Sequence, residues 1–314
     1  MFLNADTIIG HQRIRDFLSS AAATPRHHAY LFAGPEHLGK DTVARAFVST
    51  VYGRPIEDWR SLASHPDFAL LERDEEKKNV SVEEMRRFLA HFASSSFLGG
   101  IKIGVVTGAH DLSLEAANAL LKTLEEPRGN ALIILLASDT ARVPATVMSR
   151  CQTLRFLPVP TDELVQGLTR RSVPDADALA RLAAGRPGIA LALHADVEAR
   201  AAYEETVCGF IDFTAAPVSS RIAAVGAMVK DASPATVTDL LDTWSGALRD
   251  MICVKTGNDA RVVNGFAATR LRSRAAAYRL TDLARLSGMV RDARRLLLGN
   301  INPRLALEHV ALNF

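Results

Sequence analysis

Short apolar runs alternate with helical patterns through the first half of the chain. Ala29-Tyr-Leu-Phe-Ala33, Phe68–Leu71, Ile101–Val106 and Ala131–Leu136 have strand length, and glycine, proline or polar residues bound most of them. Between them, Thr42–Val51, Val82–Phe92 and Leu114–Leu124 repeat their apolar positions at helical spacing. Ser81-Val-Glu-Glu84 has the form of a capping box opening the second of these helices. Strand alternating with helix predicts an α/β domain, its largely parallel sheet covered on both faces.

The texture changes after Phe156. Pro158 and Pro160 punctuate the chain, and no further strand pattern follows. Thr161–Leu193 reads as three short helices, with Thr161 or Asp162 as the first cap and Gly185-Arg-Pro-Gly188 as a turn. From Arg200 onward the pattern is helical and rich in alanine, leucine and arginine, with breaks near Pro217, Pro234, Gly257-Asn258 and Gly299-Asn300. The expected division is an α/β domain over residues 1–158, a small helical domain over 159–198 and a helical domain over 199–314.

Composition narrows the function classes. Hydrophobic residues make up 48% of the 314 and charged residues 23%, enough for a sizeable core and too apolar for a disordered tail. A net charge of +2 excludes a global polycation. The apolar run Ala131–Ala137 is too short to cross a bilayer, and MFLNADTIIGHQ lacks the basic start and apolar middle of a secretory signal. The expectation is a cytoplasmic protein with no membrane partner. Cys151, Cys208 and Cys253 are scattered with no C-x-x-C pair, which argues against a disulfide framework and a zinc knuckle. The charge run Glu75-Glu-Lys-Lys78 reads as a surface loop.

The chemistry centres on Gly34-Pro35-Glu36-His37-Leu38-Gly39-Lys40, which follows a strand and precedes a helix. Glycines let backbone N–H groups curl around phosphate oxygens, the helix N-terminus adds positive potential, and lysine neutralises charge. The hydroxyl that ligates magnesium should come next, but Asp41 stands there. Thr42 is one residue on, turned by about 100° around the helix. A hydrolytic site also needs acids at the end of a second strand. Ile101–Val106 runs instead into Thr107-Gly108-Ala109-His110, with Asp111 beyond. Residues 34–42 are therefore a degenerate nucleotide loop. The residues leave open whether ATP and Mg²⁺ bind it, and no other cluster has metal-ligand spacing.

Asn118-Ala-Leu-Leu-Lys-Thr-Leu-Glu-Glu-Pro127 and Ser149-Arg150-Cys151 carry a family resemblance, joined by Ile8-Ile-Gly-His-Gln12, His65-Pro-Asp67 and Gly185–Gly188. Over roughly residues 1–195 the chain resembles the clamp-loader branch of the AAA+ ATPases, in its bacterial DNA polymerase III form. The resemblance implies an AAA+ P-loop domain with a parallel sheet, a small helical lid and an all-α collar. It implies tau/gamma and delta clamp-loader subunits as partners within the polymerase holoenzyme, and indirectly the sliding clamp and primer–template DNA. The family's motor acids fall on Thr107 and Gly108, the lid arginine falls near Gly188, and Gly53–Ser64 lacks the usual zinc cysteines. These departures imply a subunit without its own ATPase or zinc. Arg150 then acts as an arginine finger in trans, with Ser149 and Cys151 in its motif and Cys151 packing rather than reacting.

Two rival readings stand beside this one. One is an active ATPase of tau/gamma type in which Asp41 or Asp111 replaces the lost metal ligands. The other is a DNA-binding protein using Arg261–Arg304, which holds ten arginines and two aspartates; subunit contacts are the favoured use of that segment. Lys122 is placed facing DNA or at a solvated helix end.

Overall fold

The computed structural model describes residues 2–4, 6–23, 27–74, 77, 79–230, 232–298 and 302–314. They form two compact units, one of residues 1–176 with 185–189, the other of residues 177–184 with 190–314.

The first unit is built on five parallel strands, β1 (Ala29–Ala33), β2 (Phe68–Leu71), β3 (Lys102–Val106), β4 (Ala131–Ala137) and β5 (Gln152–Arg155), in the order β2-β3-β4-β1-β5. The four apolar runs are β1 to β4. The most central, β4, is buried along its whole length. Its side chains alternate: Leu132, Ile134 and Leu136 enter one core, while Ala131, Ile133, Leu135 and Ala137 enter the other. Helices α1 (Gln12–Ala23) and α2 (Lys40–Tyr52) contribute Leu18, Val43, Phe47 and Val48 to the first core. Helices α3 (Val82–Ala90), α4 (Leu114–Glu125) and α5 (Ala145–Met148) contribute Met85, Phe88, Leu120, Leu124 and Val147 to the second. Each large side chain fully buried here is worth roughly 1.5–3 kcal/mol. Gly104 on β3 is needed for that packing, because a Cβ there would lie 2.5 Å from the Phe92 ring and 2.6 Å from the Phe88 ring.

The capping box forms: Ser81 Oγ accepts the Glu84 N–H, and Glu84 accepts the Ser81 N–H at 2.8 Å. Buried Asp67 shapes the loop before β3, accepting the backbone N–H groups of Phe97 and Leu98 and the Ser96 hydroxyl. Three short helices follow β5, α6 (Thr161–Arg170), α7 (Ala176–Ala183) and α8 (Pro187–Ala195). Two local expectations need correction. The cap of α6 is Pro160, so Thr161 and Asp162 lie inside the first turn, where Asp162 favours the positive helix end without bonding an end N–H. Residues 187 and 188 belong to α8, Pro187 serving as its first residue, where a missing N–H costs nothing.

The second unit adds α9 (Val197–Ala215), α10 (Val218–Val229), α11 (Pro234–Lys255), α12 (Ala268–Ala276), α13 (Leu280–Leu298) and α14 (Pro303–Ala311). Its core centres on Trp244, whose ring lies 5.0 Å from Phe210 and 4.8 Å from Phe213. Fully buried Asp250 on α11 accepts the backbone N–H groups of Val263 and Asn264 and the Asn264 side-chain amide. The breaks expected at Pro217, Pro234 and Gly257-Asn258 separate these elements. Gly299-Asn300, and Glu75, Glu76 and Lys78 of the charge run, lie outside the described residues. Among the described residues no helix is long and apolar enough to cross a membrane.

Candidate functional site

The loop from Gly34 to Lys40 joins β1 to α2 as its spacing predicts, and its lysine and the carbonyls of Gly34, Pro35, His37 and Leu38 are bonded within the protein. Glycine is required at its start, because Gly34 has φ 151° and a Cβ there would lie 2.3 Å from the Phe156 carbonyl oxygen. The buried Lys40 ammonium donates to the carbonyls of Gly34 and Pro35, both at 2.6 Å. Burial lowers its pKa, and Glu36 partly offsets that. His37 sits at φ 63°, and its carbonyl accepts the Gly188 N–H at 2.9 Å. The Leu38 carbonyl takes Nε2 of His11 at 2.9 Å; a carbonyl only accepts, so that nitrogen carries the proton. Burial lowers the His11 pKa below the usual imidazole value. A Cβ on Gly188 would lie 3.1 Å from His37, so the position expected for a lid arginine is filled by close backbone packing.

The two acids expected as replacements for the lost metal ligands in the rival ATPase reading are both engaged. Asp41 accepts the Arg45 Nε–H at 2.8 Å and the Trp59 indole N–H at 2.6 Å, one on each carboxylate oxygen. Arg45 also donates to the Glu57 carbonyl. Trp59 is buried and stacks on Phe68 at 5.6 Å, with Ile56 and Leu62 buried beside it. The segment lacking zinc cysteines is thus pinned to α2 through the residue that displaced the magnesium hydroxyl. Asp111 pairs with Arg142 at 3.1 Å and Arg73 at 3.3 Å. Thr107 and Gly108 follow β3 directly and bring no carboxylate. Among the described residues no three His, Cys, Asp or Glu side chains gather as a metal site.

Ser149-Arg150-Cys151 lies between α5 and β5. In the parallel register Gln152 pairs with Tyr30. The triplet therefore sits at the edge of the sheet where strands begin, and the phosphate loop at the edge where they end. Five residues of β1 separate those edges, roughly 16 Å at about 3.3 Å each. Arg150 Nε donates to Glu125 at 2.6 Å, with Nη2 on the same carboxylate oxygen, and Nη1 donates to the Thr146 carbonyl at 2.9 Å. The Arg150 side chain stays 33% exposed and opens on a cleft of about 370 Å³ shared with His27, His28 and Gln152. Cys151 packs against the core beneath, and burial pushes its thiol up to about 12.

The family described as DNA polymerase III, delta subunit, matches residues 10–160. The delta-prime subunit of DNA polymerase III from Escherichia coli K12 is 30% identical over 246 residues, covering 74% of this chain and 73% of that one. This chain belongs to the DNA polymerase III delta-prime family. The delta-prime subunit of Pseudomonas aeruginosa is 32% identical over 183 residues, and there the match spans only 56% of the relative and 53% of this chain. The tau/gamma subunit of Haemophilus influenzae is 30% identical over 196 residues, 58% of this chain and 28% of the relative. Among solved structures, a gamma subunit-related protein of Thermotoga maritima aligns over 95% of this chain and 97% of its own with a TM-score of 0.50. At 16% identity that likeness bears on the fold alone.

In this chain the arginine-rich segment is largely paired. Arg270 pairs with Asp212, Arg272 with Asp259, Arg294 with Asp242, Arg295 with Asp292 and Arg304 with Glu308. Arg274 donates to Thr214 and lies over the Tyr278 ring. Four of those five carboxylates come from outside residues 261–304, so the local positive excess is much reduced in the fold. Lys122 is exposed near the end of α4. Sequence reasoning missed Glu125 and Trp59 as site neighbours. Glu125 alone carried a local signal, as an acid at the negative end of a helix.

Proposed function

We propose that this delta-prime chain is a non-hydrolysing subunit of the DNA polymerase III clamp loader that supplies Arg150 to the ATP site of a neighbouring tau/gamma subunit. The observation that carries the reading is the separation of Arg150 from its own phosphate loop by the length of β1. An arginine side chain cannot span roughly 16 Å, so whatever phosphate Arg150 meets belongs to another chain. In the neighbour's site its guanidinium stabilises charge developing on the transferring γ-phosphoryl, an effect of roughly 10³–10⁵ in rate for such fingers.

The engaged states of Lys40, Asp41 and Asp111 favour a loop that does not work as an ATPase. The residues at the expected metal position do not fit magnesium, because Asp41 is already held on both oxygens. No step is assigned to nucleotide or zinc within this chain. The three-part organisation, with P-loop domain, lid over 159–198 and collar over 199–314, belongs to the same reading. So do delta as a further partner and indirect action on the sliding clamp and primer–template DNA. Pairing of the arginine-rich segment favours subunit contacts there over phosphate tracking.

The test is ATP turnover with Mg²⁺, by the isolated chain and by the assembled loader. The isolated chain is expected to show no turnover above its Lys40→Ala variant, and Arg150→Ala is expected to slow the assembly. Lysine-dependent turnover by the isolated chain would favour the tau/gamma-type ATPase instead.

A further inference from the structure

The Arg150 guanidinium is gripped on two of its three sides. One Glu125 oxygen receives Nε–H and lies in ion-pair contact with Nη2, and the carbonyl of Thr146, the second residue of α5, receives Nη1–H. Ser149 Oγ lies 3.5 Å from Nη1, at the outer limit of a hydrogen bond. Among the described residues no acceptor bridges Nη1 and Nη2, the outer edge. That edge is the fork with which arginine meets phosphate or carboxylate bidentately.

We propose that Glu125 is the positioning residue of the finger, clamping the inner edge of Arg150 so that the outer edge faces the neighbour's phosphate. The inference rests on the trans reading of Arg150. Its independent support is the place of the acid. Glu125 is the last residue of α4 and is followed by Glu126, so two carboxylates stand at the negative end of a helix, where the dipole disfavours them. Helix energetics alone would put a cation there. The end of α4 is itself held, because His28 Nε2 donates to the Leu124 carbonyl at 2.6 Å. The clamp therefore hangs from fixed backbone on both sides, α4 through His28 and the arginine through the half-buried Cys151 that packs beside it.

A latch that merely parks the arginine would occupy the outer edge and compete with phosphate. Here the carboxylate takes the inner edge, and both partners can act together. The negative charge of Glu125 also weakens the field of the guanidinium. At a partly exposed site that loss is screened by solvent, whereas a finger left to sample rotamers is displaced by an ångström or more. Orientation is the larger effect.

The experiment compares ATP turnover of the assembled loader carrying Arg150→Ala, Glu125→Gln, Glu125→Asp or the double change Glu125→Gln with Arg150→Ala. Glu125→Gln is expected to lower kcat at the affected site by about 10- to 100-fold with KM for ATP unchanged. Glu125→Asp, which keeps the charge, should recover part of that rate, and the double variant should be no slower than Arg150→Ala. A slow Arg150→Ala with a wild-type or faster Glu125→Gln would overturn the positioning role and leave the finger standing. Additive slowing in the double variant would also overturn it, placing Glu125 in some other process. An Arg150→Ala loader at wild-type speed would remove the finger reading and this inference together. Unchanged thermal unfolding of the isolated variants separates these effects from misfolding; should Glu125→Gln fail to fold, Glu125→Asp decides alone, with wild-type kcat counting against the clamp.

Discussion

The two edges of one parallel sheet have been treated in opposite ways. Where the strands end, the phosphate loop has turned its chemistry inward: Lys40 bonds its own loop, Asp41 holds Trp59, and the His37 carbonyl meets the backbone of Gly188. Where the strands begin, Arg150 is held by Glu125 and the Thr146 carbonyl while its side chain stays 33% exposed. An ATP site shared between subunits needs a loop from one and a finger from the other. The two halves can change independently in one chain, because the length of β1 separates them. The difference is between groups bonded inside the chain and a group left partly exposed at its surface.

The largest effect should come from setting Arg150→Ala against Lys40→Ala in the assembled loader. The first is expected to cost the neighbour's site roughly 10³–10⁵ in turnover. The second should leave turnover unchanged at saturating ATP, measured as phosphate release. Equal losses from both would break the contrast between the edges.

Restoring the closed edge should damage it rather than revive it. Gly188→Arg puts a side chain where even a Cβ would crowd His37 at 3.1 Å, and a loss of about 3 kcal/mol is expected in urea unfolding. Asp41→Thr supplies the hydroxyl of a working loop but leaves the Trp59 indole N–H without its acceptor. Its expected cost is about 1–2 kcal/mol, with a changed Trp59 fluorescence and no ATP turnover gained. Gained Mg²⁺-dependent turnover in either variant would mean that the closed edge is only one substitution from a motor.

Much of this contrast had a sequence signal. β1 to β4 were legible because buried parallel strands are continuous apolar runs, whereas β5 was not, since Gln152-Thr-Leu-Arg155 is an edge strand with one buried side chain. The loop and the Ser149-Arg150-Cys151 triplet were legible as motifs. What filled the loop was not, because Trp59 lies 18 positions from Asp41 and Gly188 lies far beyond both, and no local period links them. Arg150 was legible as a residue, but its partners were not: Glu125 lies 25 positions away, and the other is a carbonyl that any residue could supply.

The smallest effect concerns the thiol beside the finger, and it asks whether the open edge works by charge alone. Burial raises Cys151 to about 12, while an unfolded cysteine titrates near 8.5. Between those values the folded state binds more protons than the unfolded one. The thiol's contribution to stability is therefore fully present below about pH 8.5 and falls as pH rises toward 12. At pH 8.5 the thiolate fraction of Cys151 is about 10³-fold below that of an unfolded cysteine, so alkylation in the native chain should be slower by a similar factor. Peptide mapping after timed iodoacetamide treatment, native against urea-unfolded, measures this directly. Rapid native modification of Cys151 would place a reactive thiol next to Arg150, and the open edge would then carry nucleophilic chemistry as well as a cation.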